Sequence, residues 1–269
     1  MSLPAPQRPR LIRVRHIQDV TPHLRRITFH SNDLADYPFT CGGAHIKLMF
    51  PQPGQRDPVL PTLTEQGPRW ASPAEKPLLR TFTLRAFRRE RNELDVEFAL
   101  HGESGPASRF ALNARIGDTL GLSQPGGPSP MLQAARHYYL AGDLTALPAI
   151  AAMLEEMATD ATGRIALLVP SQADIQPLPM PAGVHIDWIV GGPEAAPQLV
   201  EALLSAPLEA SMSQFWFGGE ERIVVPLRRH ARRTLAAPRS CVYAVPYWRQ
   251  GQEEEAYHPA RHAVMDAEA

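Results

Sequence analysis

The rhythm of apolar residues changes once along this chain, near residues 124–130, and no other feature restricts its fold as much. Before that point the apolar residues come in short runs of period two. Residues 11–18 and 24–30 read as strands separated by the turn signal Thr21-Pro22-His23, and residues 44–50 read as a third. A stretch with seven prolines follows at 51–77, and proline suits neither helix interiors nor central strands, so a long excursion is expected there. Leu94, Val96, Phe98 and Leu100 then alternate with Asp95, Glu97 and Ala99 in a half-buried strand. Residues 79–85 form its partner through a polar turn at 88–92, and Leu120 and Leu122 fall in a sixth strand. Six strands with scarcely any helix predict a small antiparallel β-barrel over roughly residues 10–124.

Gln124-Pro125-Gly126-Gly127-Pro128-Ser129-Pro130 consists mainly of turn formers and marks a domain boundary, giving domains at 1–126 and 127–269. Beyond it strands alternate with helices. Strands fit 137–141, 164–169, 184–190, 214–217 and 240–245. Leu147, Ile150, Leu154 and Met157 share one helical face, Leu199 to Leu204 mark a second helix, and residues 220–235 a third. This pattern predicts an α/β domain of nucleotide-binding type with a mostly parallel sheet, whose ligands bind at the carboxyl ends of the strands. Two glycine-bearing turns fall there, at 141–148 and at Phe217-Gly218-Gly219-Glu220. Neither is GxGxxG, and Thr145 as a cap with Pro148 in a first turn also fits a purely structural role.

In the first domain Arg80 and Phe82 lie two residues apart and so share a strand face. A guanidinium beside an aromatic ring suits a ligand with a phosphate at one end and a flat ring at the other. Thr83 adds a hydroxyl at the strand's edge. His101-Gly102 ends the next strand, and Gly105-Pro106-Ala107-Ser108 opens a short helix whose N-terminus could seat an anion. The same residues also fit an ordinary hairpin and loop. Lys47 stands on the face of strand 44–50 that carries His45 and Met49, where a solvated lysine is also ordinary.

Composition excludes several functions. A net charge of −1 offers no bulk attraction for nucleic acid or an anionic membrane. Two distant cysteines and ten scattered histidines give no metal-ligand spacing, so no metal is expected. No apolar run approaches the ~18 residues of a membrane span, and residues 1–9 lack a signal-peptide core, which points to the cytoplasm. The oligomeric state is open, with a monomer the default expectation.

Four strings occur in order: Arg80-Thr81-Phe82-Thr83; His101-Gly102 with Gly105-Pro106-Ala107-Ser108; Gly142-Asp143-Leu144-Thr145-Ala146-Leu147-Pro148-Ala149; and Tyr247-Trp248-Arg249-Gln250-Gly251. Together they make the chain resemble, from about Arg10 to Gly251, the siderophore-interacting proteins. These are flavin-dependent ferric-siderophore reductases of the wider ferredoxin-reductase superfamily. The resemblance implies an FAD-binding barrel followed by an NAD(P)H-binding domain, with electrons passing from NADH or NADPH through FAD to a ferric siderophore that releases Fe(II). A ferredoxin is an alternative donor. It implies that Arg80 pairs with the FAD phosphates, with Thr81 beside it. Phe82 lies against the isoalloxazine and Thr83 reaches its N5 edge. Gly102 and Gly105 to Ser108 cradle the pyrophosphate, with His101 nearby. Asp143, Thr145 and Ala146 line the cleft where nicotinamide meets flavin, and Gly219 and Glu220 form a second loop there. Thr83, Asp143 and Thr145 are the residues placed closest to the electron transfer. Lys47, Trp248 and Arg249 match the family's substrate-binding cluster, and Arg222 offers a cation for a 2′-phosphate.

The chain departs from the family pattern at several positions. Phe82 replaces a usual tyrosine, Phe110 a tryptophan and Pro246 a glycine, and Pro128-Ser129 stands where a basic residue is often found. Two other readings stay open. One is a generic NAD(P)H:flavin or ferredoxin-type reductase, against which the Tyr-Trp-Arg string argues. The other is a non-catalytic siderophore-binding protein, which would purify colourless.

Overall fold

A computed structural model describes residues 8–102, 105–205, 207–252, 256–257 and 259–261. The chain divides into two compact units, Met1–Met131 and Leu132–Ala269.

In the first unit the strands are β1 (Arg10–Thr21), β2 (Leu24–His30), β3 (His45–Phe50), β4 (Thr62–Thr64), β5 (Gly67–Arg69), β6 (Leu78–Thr83), β7 (Ala86–Arg88), β8 (Glu93–Ala99) and β9 (Thr119–Leu122), with helix α1 (Pro106–Asn113) before the last. Seven of them form one antiparallel sheet in the order β6-β3-β9-β1-β2-β8-β7. Alternate residues of its strands, among them Ile12, Val14, Ile27, Phe29, Ile46, Leu48, Leu94, Val96 and Phe98, close a core with almost no exposure. This is the period of two that the sequence displays.

The expected six-stranded barrel is therefore a seven-stranded sheet with an open ladder. The extra strand arises because the chain breaks at Leu84 and Arg85. The Leu84 N–H donates to Ala44 O (2.8 Å), while the Arg85 N–H donates to Asp95 O (2.9 Å). The backbone thus leaves the β3 edge and joins the β8 edge within two residues. The two ends of the ladder, β6 and β7, are joined by the chain itself. The hairpin partner of β8 is accordingly residues 86–88, not 79–85, and Asn92 completes its turn at φ 51°. The proline-rich excursion contains the small hairpin β4–β5.

In the second unit β10 (His137–Asp143), α2 (Leu147–Glu156), β11 (Thr162–Val169), β12 (Gly183–Val190), α3 (Ala196–Leu204), β13 (Ser213–Glu220), α4 (Glu221–Arg229) and β14 (Val242–Trp248) follow one another. The five strands are all parallel, in the order β12-β11-β10-β13-β14. Tyr139, Ala141, Phe215 and Phe217 pack with Leu199, Leu203, Ile223 and Leu227 to bury α3 and α4 on one face. The third helix ends sooner than residue 235: Pro226 stands inside α4, and the chain continues as a wider π turn over 230–234. Pro246 is tolerated in β14 because that strand is the sheet's edge. Among the described residues no helix is long and apolar enough to cross a membrane.

Candidate active site

The strand order of the second unit reverses between β10 and β13. In an open parallel sheet this is where a crevice forms beyond the carboxyl ends of the strands, and where ligands bind. β10 ends in Asp143, β13 in Glu220 and β14 in Trp248, and the Asp143 carboxylate takes a hydrogen bond from each of the other two. Asp143 is 6% exposed. Its Oδ1 accepts from the Thr145 N–H (2.8 Å) and hydroxyl (2.5 Å). Its Oδ2 accepts from the Glu220 N–H and from the Trp248 indole Nε1, both at 2.8 Å. Burial pushes the Asp143 carboxyl above its ordinary range, and these four donors pull the other way without cancelling it.

Glu220 continues the network. Its carboxylate caps α4 by accepting the Arg222 N–H (2.6 Å) and also accepts the Gln250 N–H (3.3 Å). The Arg222 guanidinium donates to Glu220 (3.3 Å) and to Gln250 Oε1 (2.6 Å), so its nearest partners are the chain's own acceptors. Gly219 adopts φ +105°, and a Cβ there would stand 2.8 Å from the Asp143 carboxylate. A side chain at Gly142 would stand 2.5 Å from the Ala146 Cβ. Glycine is required at both positions for the strand ends to approach. Ala146 is fully buried, so it packs rather than lines, whereas Thr145 is partly exposed. Arg249 is exposed and pairs with Glu221 at 3.6 Å.

In the first unit Phe82 is backed by Phe98 (ring centroids 4.6 Å apart) and Phe50 (6.4 Å) and stays partly exposed. Arg80, on the same face, donates from Nη1 to Leu79 O (2.8 Å), and Thr83 is buried. On the other face the Lys47 ammonium lies 2.5 Å from Thr81 Oγ1, Lys47 and Thr81 being register partners across β3 and β6. His101 Nε2 lies 3.0 Å from Ser108 Oγ, which ties the end of the β8 segment to the first turn of α1. Gly102 (φ +88°) and Gly105 (φ +91°) both adopt a positive φ, and Pro106 opens the helix. A partly exposed ring packed at a tilt on two buried aromatic rings, an arginine on the same strand face and Gly105 leading into a helix fit a ligand with a flat ring and a pyrophosphate.

The family model for the siderophore-interacting FAD-binding domain matches residues 13–129, and that for the siderophore-interacting protein matches residues 135–251. The ferric vibriobactin reductase ViuB of Vibrio cholerae is 38% identical over 263 residues, covering 97% of this chain and 96% of its own. The chain belongs to the siderophore-interacting protein family. The crystal structure of the siderophore-interacting protein SipS from Aeromonas hydrophila is similar at 62% identity and a TM-score of 0.88, covering 97% of this chain and 99% of that one. The NADPH-dependent ferric-chelate reductase of Escherichia coli is 27% identical, over 89% of this chain and 92% of its own.

Within this family member the structure brings Asp143, Thr145, Gly219, Glu220 and Trp248 into one cluster, and Arg80, Phe82 and Thr83 onto one strand. Sequence reasoning missed Gln250 as a member of the cluster. The neighbours Trp248 and Arg249 take different partners, the indole being bound to Asp143 and the guanidinium to Glu221. The capping signal at Glu220, an acidic residue opening a helix, was the one local cue to the Arg222 contact.

Proposed function

We propose that the protein is a flavin-dependent reductase that passes electrons from NADH or NADPH through FAD to ferric siderophores, releasing iron as Fe(II). The observation that carries this reading is the near full-length likeness to a ferric vibriobactin reductase, with the FAD-binding domain model falling on the unit that holds Arg80 and Phe82. FAD binding is assigned to residues 1–126 and nicotinamide binding to residues 127–269.

Bound FAD supplies the exchange of a two-electron hydride for the single electrons that Fe(III) accepts. The protein's residues bind and orient. Arg80 takes the phosphates, with Thr81 on the neighbouring face. Phe82 takes the flat ring, and Thr83 fixes its edge. His101, Gly102 and the 105–108 turn seat the pyrophosphate. In the second unit Thr145 faces the nicotinamide. Asp143 acts by position: four donors of the chain occupy its carboxylate, which holds Thr145 and the ends of β13 and β14 in place. Gly219 and Glu220 shape the adjoining loop, with Ala146 packed beneath. Lys47, Trp248 and Arg249 receive the ferric chelate. The reading takes the protein as a cytoplasmic monomer, with a ferredoxin as an alternative donor.

The test is turnover. FAD-loaded protein given NADH or NADPH and a ferric siderophore should form Fe(II), trapped by a ferrous-specific chromogenic chelator. No Fe(II) above the protein-free control with either nicotinamide sinks the proposal.

A further inference from the structure

The amino ends of the five parallel strands lie opposite the cleft at their carboxyl ends, and they supply none of the residues assigned to either cofactor. β13 leaves this rim at Ser213 and reaches the cleft at Glu220, about 23 Å away for a strand of eight residues. α4 then runs back from the cleft, so the chain between its last turn and the start of β14 returns to the rim. Between residues 228 and 240 that return carries five arginines and a histidine, and neither an aspartate nor a glutamate. The net charge of −1 hides this concentration. Arg233 and Arg239 are exposed, as is Arg136 just before β10, and none of the three guanidinium groups has a partner among the described residues.

The strand order β10-β13-β14 sets the residues that lead into these strands side by side. Met212, leading into β13, accepts the Arg136 N–H at its carbonyl (2.8 Å), and the turn Arg239–Cys241 packs beside the starts of β13 and β14. Met212 therefore stands between Arg136 and Arg239. It is 67% exposed and holds φ +55°, and the exposed Ala236 holds φ +52°. Backbone in this region is costly for a residue with a side chain and concentrates at functional surfaces. The acids of this rim lie elsewhere: Glu155, Glu156 and Asp160 follow one another where α2 gives way to β11, and Glu209 stands toward His137 (3.8 Å). The β13–β14 side is left cationic.

Clustered arginines alone suit any polyanion. The exposed methionine among them decides for a surface with an apolar layer beneath its phosphates, which a bilayer of anionic lipid has and a nucleic-acid duplex lacks. α4 buries Ile223, Val224 and Leu227 against the sheet, so the helix itself cannot insert. Contact is then shallow, reversible and weakened by salt.

We propose that the β13–β14 side of this rim is a docking face for an anionic lipid surface, with Arg136, Arg233 and Arg239 on headgroup phosphates and Met212 at the acyl boundary. The inference is independent of the reductase reading and goes beyond it, since it makes the protein a peripheral one that rests on a membrane without crossing it.

The test sediments the full chain with vesicles of phosphatidylcholine alone, or of phosphatidylcholine mixed equally with phosphatidylglycerol. Binding should be confined to the mixed vesicles and fall as salt is raised. An arginine near an anionic surface contributes about a fivefold factor in partition, so Arg233→Ala/Arg239→Ala should lower binding roughly 25-fold. Arg69→Ala/Arg91→Ala removes the same charge from exposed positions of the first unit and should change binding less than about twofold. Met212→Ser alters no charge and should lower binding about three- to tenfold. No binding to the mixed vesicles, equal binding to the neutral ones, equal losses from the two double variants, or wild-type binding by Met212→Ser each overturns the proposal. Binding to a DNA duplex in place of the vesicles overturns it as well, and marks the rim as a nucleic-acid face.

Discussion

The indole Nε1 of Trp248 donates to Oδ2 of Asp143 at 2.8 Å, across 105 residues of chain. The contact joins the carboxyl end of β14, the edge strand, to that of β10, the central one, while the Glu220 N–H joins β13 to the same oxygen. The end of the sheet where the strand order reverses is therefore held by one buried carboxylate.

Trp248→Phe keeps the ring and removes the donor. A hydrogen bond to a charged group contributes about 1.5–3 kcal/mol, so the second unit should lose stability of that order in urea unfolding. Losing the donor also lets Asp143 rise further, since the indole is one of the groups that lowers it. An unchanged midpoint would show that the contact does not persist in solution.

Gly219→Ala should be the more damaging single change for nicotinamide handling. It places a Cβ 2.8 Å from the Asp143 carboxylate at a φ of +105°. Strain of this kind costs about 1–3 kcal/mol, and its relief must move either the loop or Asp143. Flavin reduction by NAD(P)H, followed by rapid mixing, should slow while FAD content stays near wild type. A wild-type rate would remove this loop from the nicotinamide site.

Arg80→Ala should weaken FAD binding. Removing a charge-assisted contact of about 1.5–3 kcal/mol corresponds to one to two orders of magnitude in affinity at roughly 1.4 kcal/mol per tenfold. Fluorescence titration of the apoprotein with FAD measures it. A variant that binds FAD as tightly as wild type contradicts the assignment.

The acid limb of stability should depend on Asp95. Burial alone would raise this carboxyl, but the paired hydrogen bonds from Arg88 (both 2.7 Å), with Thr28 (2.7 Å), bring it below its ordinary range. A lowered native pKa contributes stability that is present above the unfolded value of about 3.9 and is lost as pH falls through the native one. Asp95→Asn should thus cost about 1.5–3 kcal/mol at pH 7, and the gap to wild type should narrow below about pH 3.9. A gap that is the same at pH 7 and pH 3 would contradict the pairing.

Much of this architecture is legible in the sequence because its signals are local. The alternation of Leu94, Val96 and Phe98 reports one buried sheet face, and the step of Leu147, Ile150 and Leu154 reports a helix against a sheet. What the sequence hides is non-local. Nothing near Leu84 or Arg85 announces that one residue pairs toward Ala44 and the next toward Asp95, which is why residues 79–85 read as the partner of β8 although the ladder passes to residues 86–88. The β4–β5 strands have three residues each and contain Pro68, too short and too interrupted for any period. Gly218 and Gly219 read as a turn, yet both lie inside β13, where the small residues let Trp216 and Asp143 approach the backbone. Asp143 was legible as a candidate from its turn. Glu220 and Trp248 were candidates too, but their bonds to Asp143 were not legible, since they come from strands that only the parallel sheet brings alongside.

The central claim is that this chain moves electrons from a nicotinamide to chelated iron, and one anaerobic double-mixing experiment tests it. FAD-loaded protein is mixed with NADH or NADPH, the flavin absorbance is followed as it bleaches, and a ferric catecholate chelate is then added. The account predicts bleaching by at least one nicotinamide, and then recovery of the oxidised spectrum as Fe(II) appears in proportion to the electrons stored. Flavin that neither nicotinamide bleaches, or bleached flavin that persists in the presence of the ferric chelate with no Fe(II) formed, would contradict it.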